Sequence, residues 1–287
     1  MAEILTPPRR TCAIVYSPFP DANTWRAQLD QSAASNGWTV RDASALAPEQ
    51  TATHGMLITC ESIEQALPYT TNIYLVSASP NHCADYLETV ASIEPMYAVQ
   101  WTSRHFSSLH ERSDIGWTML DPYKNYSPEE TELSFPIQSL VATEVPSHEM
   151  LDMFRVLPVP AGSQFDWPER AFFEESQSGG EFRPLTGRRR CLTFGPNIVL
   201  PHGLWRLDFD LELRTDHDPV LLSIDWAPVD EADAGKHFSL AAGIHHVSLT
   251  RRWNSGEVNT LRLILERPRI DGWYRLGSIK ATYMADV

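Results

Sequence analysis

Glu61 and His105 are the titratable pair suited to acid–base chemistry, a carboxylate and an imidazole, each expected in a loop at the carboxyl end of a buried strand. The same strand ends supply Ser17, Asp21, Thr59, Ser77, Ser79, Asn81, Thr102 and Ser103, and open α/β sheets bind their ligands there. A second set suits binding rather than reaction. Trp253, Trp273 and Tyr274 fall near Gly256 and Gly272, where flat rings at a strand edge can stack on the apolar face of a pyranose or else cap the core ends. Arg252, beside Trp253, extends that set and can grip a phosphate or an acidic glycan. Arg188-Arg189-Arg190 has the same capacity, with a solvated or ion-paired face as the plainer reading. Asp216-His217-Asp218 offers potential metal ligands, but adjacent residues rarely all point at one ion, so it reads as a solvated turn before Pro219. His245 and His246 on a strand face opposite sides, and no metal is expected.

Several chemistries lack their motifs. The first strand is followed by Ser17-Pro18-Phe19-Pro20-Asp21, with no glycine to let a backbone approach a pyrophosphate. There is no Walker A sequence and no Gly-x-Ser-x-Gly elbow, and no cofactor is expected. The chain of 287 residues is 43% hydrophobic and 21% charged, enough apolar matter for two ordinary domains. Its net charge of -14 argues against nucleic acid or an anionic membrane as partner. Cys12, Cys60, Cys83 and Cys191 show no Cys-x-x-Cys spacing, and the first two sit in apolar runs as buried thiols. With no apolar segment behind a basic start and no membrane-spanning run, free thiols predict a reducing cytoplasm. There the sequon at Asn125 has no consequence.

The front of the chain alternates short apolar runs with amphipathic stretches. Residues 12–16, 38–40, 56–60, 73–76 and 96–99 read as strands. A helix capped by Asp21 or Asn23 runs to about Asn36-Gly37, with Trp25, Leu29 and Ala33 on one face. Ser62 followed by Gln65 is a capping-box start, and residues 81–93 form a further helix with Cys83, Leu87, Val90 and Ala91 inward. This pattern predicts a doubly wound, Rossmann- or flavodoxin-like parallel sheet over 1–145, followed by a linker at 146–164.

From residue 165 to 287 the period becomes two. Trp205, Leu207, Phe209, Leu211 and Leu213 alternate with Arg206, Asp208, Asp210, Glu212 and Arg214, one face buried and one wet. Val220–Trp226, Val247–Leu249, Leu261–Leu265 and Ile279–Tyr283 repeat the alternation, and Gly277 marks a bulge. Many short strands with frequent turns predict an antiparallel, jelly-roll-like β-sandwich.

The order Phe194-Gly195-Pro196, aliphatic, Leu200-Pro201-His202-Gly203, Trp205-Arg206, alternating strand resembles the carbohydrate-binding-like sandwich modules that accompany bacterial glycosyltransferases. Gly272–Ile279 resembles the closing strand of such modules. The resemblance covers about the last ~110 residues and implies a sandwich that binds a saccharide or a protein partner. Two readings follow. The favoured one is a non-catalytic two-domain protein of bacterial glycan or polysaccharide metabolism, with no membrane insertion. The other is a nucleotide-sugar-dependent transferase working at the strand-end loops, with Glu61 and His105 as its acid–base pair.

Overall fold

Residues 11–46, 55–131, 133, 135–142, 144–174, 182–217, 219–231 and 235–285 are described by the structure, a computed structural model. The chain divides into two compact units, Met1–Ile93 with Arg112–Pro146, and Glu94–Glu111 with Ser147–Val287.

In the first unit, β1 (Cys12–Tyr16) is followed by α1 (Ala22–Ser35), β2 (Thr39–Asp42), β3 (Met56–Cys60), α2 (Ile63–Ala66), β4 (Ile73–Val76) and α3 (Pro80–Thr89). The next helix, α4 (Pro95–Glu111), belongs to the second unit, and the first resumes with β5 (Thr118–Leu120). The sheet is parallel, in the order β2-β3-β1-β4-β5. Its centre is apolar on both faces, with Cys12–Val15 and Ile73–Val76 buried throughout, as a parallel sheet covered by helices requires. Trp25, Leu29 and Ala33 are the buried stripe of α1. Ser62 caps α2 by accepting from the Gln65 amide. The α/β class therefore holds. The strand order departs from the 3-2-1-4-5 and 2-1-3-4-5 arrangements of the two doubly wound families, because β2 is the edge and β3 sits between it and β1. Val90, expected inward, is 63% exposed.

Residues 96–99, expected as a strand, are the first turn of α4. A four-residue apolar run does not distinguish strand from helix. Pro95 fits the start of a helix, and Ala98, Thr102, Phe106 and Leu109 are among its buried positions, at spacings of three and four.

The second unit is an antiparallel sandwich. Its strands are β6 (Gln164–Trp167), β7 (Phe173–Glu174), β8 (Arg183–Pro184), β9 (Arg190–Val199), β10 (Gly203–Arg214), β11 (Val220–Pro228), β12 (Lys236–Leu240), β13 (Gly243–Trp253), β14 (Val258–Leu265), β15 (Trp273–Leu276) and β16 (Ile279–Ala285). One sheet centres on β10, with β13 on one side and β15 and β16 end to end on the other, flanked by β8 and β6. Gly277 lies in the break between β15 and β16 and donates to the Asp210 carbonyl at 2.8 Å. The other sheet has the order β12-β11-β14-β9-β7. The odd residues Trp205–Leu213 of β10 are buried, as are Leu222, Ile224, Leu261, Leu263 and Leu265 of the other sheet. Trp226 stands edge-on to Trp253 at 5.3 Å and to Trp167 at 6.5 Å.

α4 packs on the end of β9 in the same unit: the Val199 amide donates to Ser103 Oγ at 3.0 Å, and Ser107 Oγ donates to the Leu200 carbonyl at 2.9 Å. The stretch expected as linker is packed here as well. Met150, Leu151, Met153 and Phe154 are buried, and the Val159 amide donates to His110 Nδ1 at 3.0 Å.

Candidate functional site

At the carboxyl ends of β1, β2 and β3 lies a cavity of about 180 Å³ lined by Tyr16, Ala22, Asn23, Arg26, Asp42, Thr59, Cys60 and Glu61. Arg26 donates to Asp42 at 2.9 Å and to Thr59 Oγ1 at 2.8 Å. Ser44 donates to Asp42 through its hydroxyl at 2.6 Å and its amide at 2.9 Å. The Ser44 hydroxyl first, then Arg26, holds the Asp42 carboxyl down to about 2. Burial pushes the Cys60 thiol up to about 12, so it is no nucleophile at neutral pH. Arg26 here carries its own counter-ion.

At the ends of β4 and β5, Ser79 caps α3 by accepting from the His82 amide, and its Oγ lies 2.7 Å from His82 Nδ1. The His82 ring rests on Tyr123 at 4.8 Å. Burial, reinforced by Asp21 and other acids, raises the Tyr123 phenol to about 12. Ser17 and Ser77 are buried, and Asp21 adopts φ 59 at the start of α1.

Glu61 is exposed at the end of β3, where its amide donates to Gln65 Oε1 at 2.8 Å. His105 is on α4, edge-on to Phe106 at 5.4 Å, and burial pushes its imidazole down to about 4. The two residues belong to different units, so neither unit contains the acid–base pair. Thr102 and Ser103, expected in a strand-end loop, are buried on α4 for the same reason.

On the sandwich, the strand period sorts the four expected binding residues. Trp273 points outward and is 50% exposed, whereas Tyr274, the next residue, is 2% exposed. The Tyr274 hydroxyl donates to the Leu192 carbonyl and lies beside Thr193 Oγ1, both at 3.0 Å. Trp253 is 0% exposed because it falls on the inward set of β13. These two rings are core, which corrects the expectation that they stand at an accessible edge. Arg252 is on the outward set, opposite Leu204, while Trp273 is opposite Arg214. Ten residues of β10 separate those positions, roughly 33 Å, so Arg252 and Trp273 do not share a site.

Trp273 has other neighbours. Arg214 is its cross-strand partner and binds Glu212 at 3.1 Å, Glu212 also accepts from Arg275, and the guanidinium of Arg214 lies 3.5 Å over the Phe182 ring. No local pattern in the sequence assembles Phe182, Glu212, Arg214 and Arg275 as a set. The alternating charges of β10 are visible in the sequence, but the strand lying next to them is not. Farther along the same face, His246 Nδ1 is 3.1 Å from Asp210, and Ser248 donates to Asp208 at 2.7 Å.

Several of the remaining charged side chains are paired within the sandwich. Arg189 pairs with Glu266 at 2.9 Å, Arg190 donates to the Pro184 and Thr186 carbonyls, and Arg251 pairs with Glu231. His217 is 3.9 Å from Asp271, and Asp218 lies outside the described residues. Among the described residues no group of three metal-ligating side chains occurs, and no helix is long and apolar enough to cross a membrane.

No protein-family model matches the sequence, and no curated protein matches it. Solved structures do. A family 61 carbohydrate-binding module, solved with β-1,4-galactotriose, is similar over 42% of this chain and 87% of its own, at 8% identity and a TM-score of 0.29. A family 35 carbohydrate-binding module from Clostridium thermocellum is similar over 43% of this chain and 99% of its own, at 12% identity and a TM-score of 0.29. A glycosylation-associated protein complex from Streptococcus agalactiae is similar over 95% of this chain, which spans 50% of that one, at 8% identity and a TM-score of 0.26.

Proposed function

We propose that this is a non-catalytic protein of bacterial glycan metabolism whose sandwich binds a saccharide on the outer face of the β10 sheet, around Trp273. The observation that carries the reading is the half-exposed Trp273 ring set beside the Arg214–Glu212–Arg275 network. An indole face takes the C–H patch of a pyranose. Planar guanidinium and carboxylate groups at its edge can donate to and accept from neighbouring hydroxyls. A purely apolar protein interface would leave this charged network desolvated and costly. The transferase reading finds less support: Pro18 and Pro20 crowd the loop after β1, and His105 lies on a helix and not in a strand-end loop.

Glycan-array screening followed by calorimetric titration tests the proposal. The expected result is a saccharide bound with one site per chain, its affinity lost in Trp273→Ala while the melting temperature stays put. Binding that is absent, or indifferent to Trp273→Ala, overturns it.

A further inference from the structure

Among the described residues the sandwich has four sheet edges, and three are short. β12 has five residues, β7 two, and the edge formed by β6 and β8 four and two. Short edge strands limit pairing with other chains. The fourth edge, β13, has 11 residues and, among the described residues, pairs with β10 alone, in unbroken register from Gly203↔Trp253 to Leu213↔Gly243. It contains no proline, lysine or bulge, and its two charged residues, Arg251 and Arg252, sit together at one end and leave Gly243–Thr250 without a charge that blunts the edge. Among the described residues, no backbone hydrogen bond from a turn or loop reaches Gly243–Arg251. Ile244 on this edge is 69% exposed.

We propose that β13 pairs antiparallel with β13 of a second copy of this chain, about a two-fold axis through Ser248. Ser248 is the midpoint of Gly243–Trp253, so this register uses the whole strand. Directly opposed residues of an antiparallel pair share a face, so each sheet keeps its buried side. Val247 then faces Leu249 on the core side, and Ser248 faces Ser248 on the outer side. Arg252 faces Ile244, and Arg251 faces His245, so no two arginines oppose each other. The charge also fits. The chain carries -14, but β13 holds Arg251 and Arg252 and no acid. Arg252 lies across Ile244 from Glu212 of the second copy, since Glu212 is the β10 partner of Ile244. Two strand spacings, about 10 Å, separate those backbones, a gap that an arginine and a glutamate side chain leaning together can close.

The test uses the full chain and does not depend on saccharide binding. Sedimentation at tens of micromolar should give a dimer, and a monomer overturns the proposal. Ser248→Lys sets like charges face to face at the axis while leaving Asp208 a partner, and should weaken the dimer roughly fivefold or more while the circular dichroism spectrum stays that of the folded chain. Cysteine pairs read the register directly. In a Cys191→Ser background, which removes the exposed native thiol, Ser248→Cys should oxidise rapidly to a covalent dimer. Thr250→Cys, whose opposite residue is His246, should not. Equal rates for the two, or an unchanged dimer in Ser248→Lys, count against the pairing; a dimer that survives Trp273→Ala separates this result from the saccharide site.

Discussion

The guanidinium of Arg214 lies 3.5 Å over the ring of Phe182, and Arg275 approaches the same ring at 5.0 Å. The ring therefore holds Arg214 flat beside Trp273, with Glu212 taking its edge. A lysine keeps the charge but loses the planar fork and the stacking. Arg214→Lys should weaken saccharide binding about fivefold to tenfold, from a lost contact of roughly 1 kcal/mol. Calorimetry checks this, with circular dichroism to show that the fold is unchanged.

Tyr274 and Trp253 should report on stability and not on ligand. Tyr274→Phe leaves the Thr193 hydroxyl and the Leu192 carbonyl short of a buried partner. The expected cost is about 1–3 kcal/mol. Trp253→Ala empties a site wedged against Trp226 and should cost about 3–5 kcal/mol. Denaturant melts measure both. A variant that instead keeps its stability and loses saccharide binding would return that ring to the site.

His105 should make the second unit acid-sensitive. Its imidazole titrates at about 4 in the folded chain against 6.5 in the unfolded one, because burial disfavours the cation. Between those values the unfolded chain binds more protons. Stability is therefore complete above pH 6.5 and falls as the pH drops towards 4, by at most about 3 kcal/mol. His105→Gln should flatten melting temperature against pH across that window. An unchanged slope assigns the acid sensitivity to other groups.

Much of this architecture is legible in the sequence where a pattern answers to one cause. β10 alternates strictly because one face is core and the other is water, and its buried set emerges residue for residue. β1, β3 and β4 read as buried strands because a parallel sheet needs apolar side chains on both faces. The start of α4 fails because four apolar residues satisfy either element, and the same reading puts His105 in a strand-end loop when it lies on a helix. The binding set fails differently. Trp273 and Tyr274 are adjacent, and only the strand's phase relative to the core decides which is wet. Phe182 and Arg214 meet across 32 positions of chain, a relationship no local period records.

Gly203 tests how tightly β10 is seated at its first residue. Its φ is 132, a conformation that side chains rarely adopt, and a Cβ there would meet the Ala285 carbonyl and the Tyr283 ring, each at 2.8 Å. Gly256 has φ 76 but nothing within 4 Å of its missing Cβ. The pair therefore separates backbone strain from collision. Gly256→Ala should cost about 1 kcal/mol, the left-handed penalty alone. Gly203→Ala should cost at least about 2–3 kcal/mol, because the β16 backbone must also shift. For a unit of this size that is a fall in melting temperature of roughly 4–12 °C against 2–4 °C. Equal losses in the two variants would mean that β16 yields freely, and that the end of β10 is looser than the 2.8 Å contacts imply.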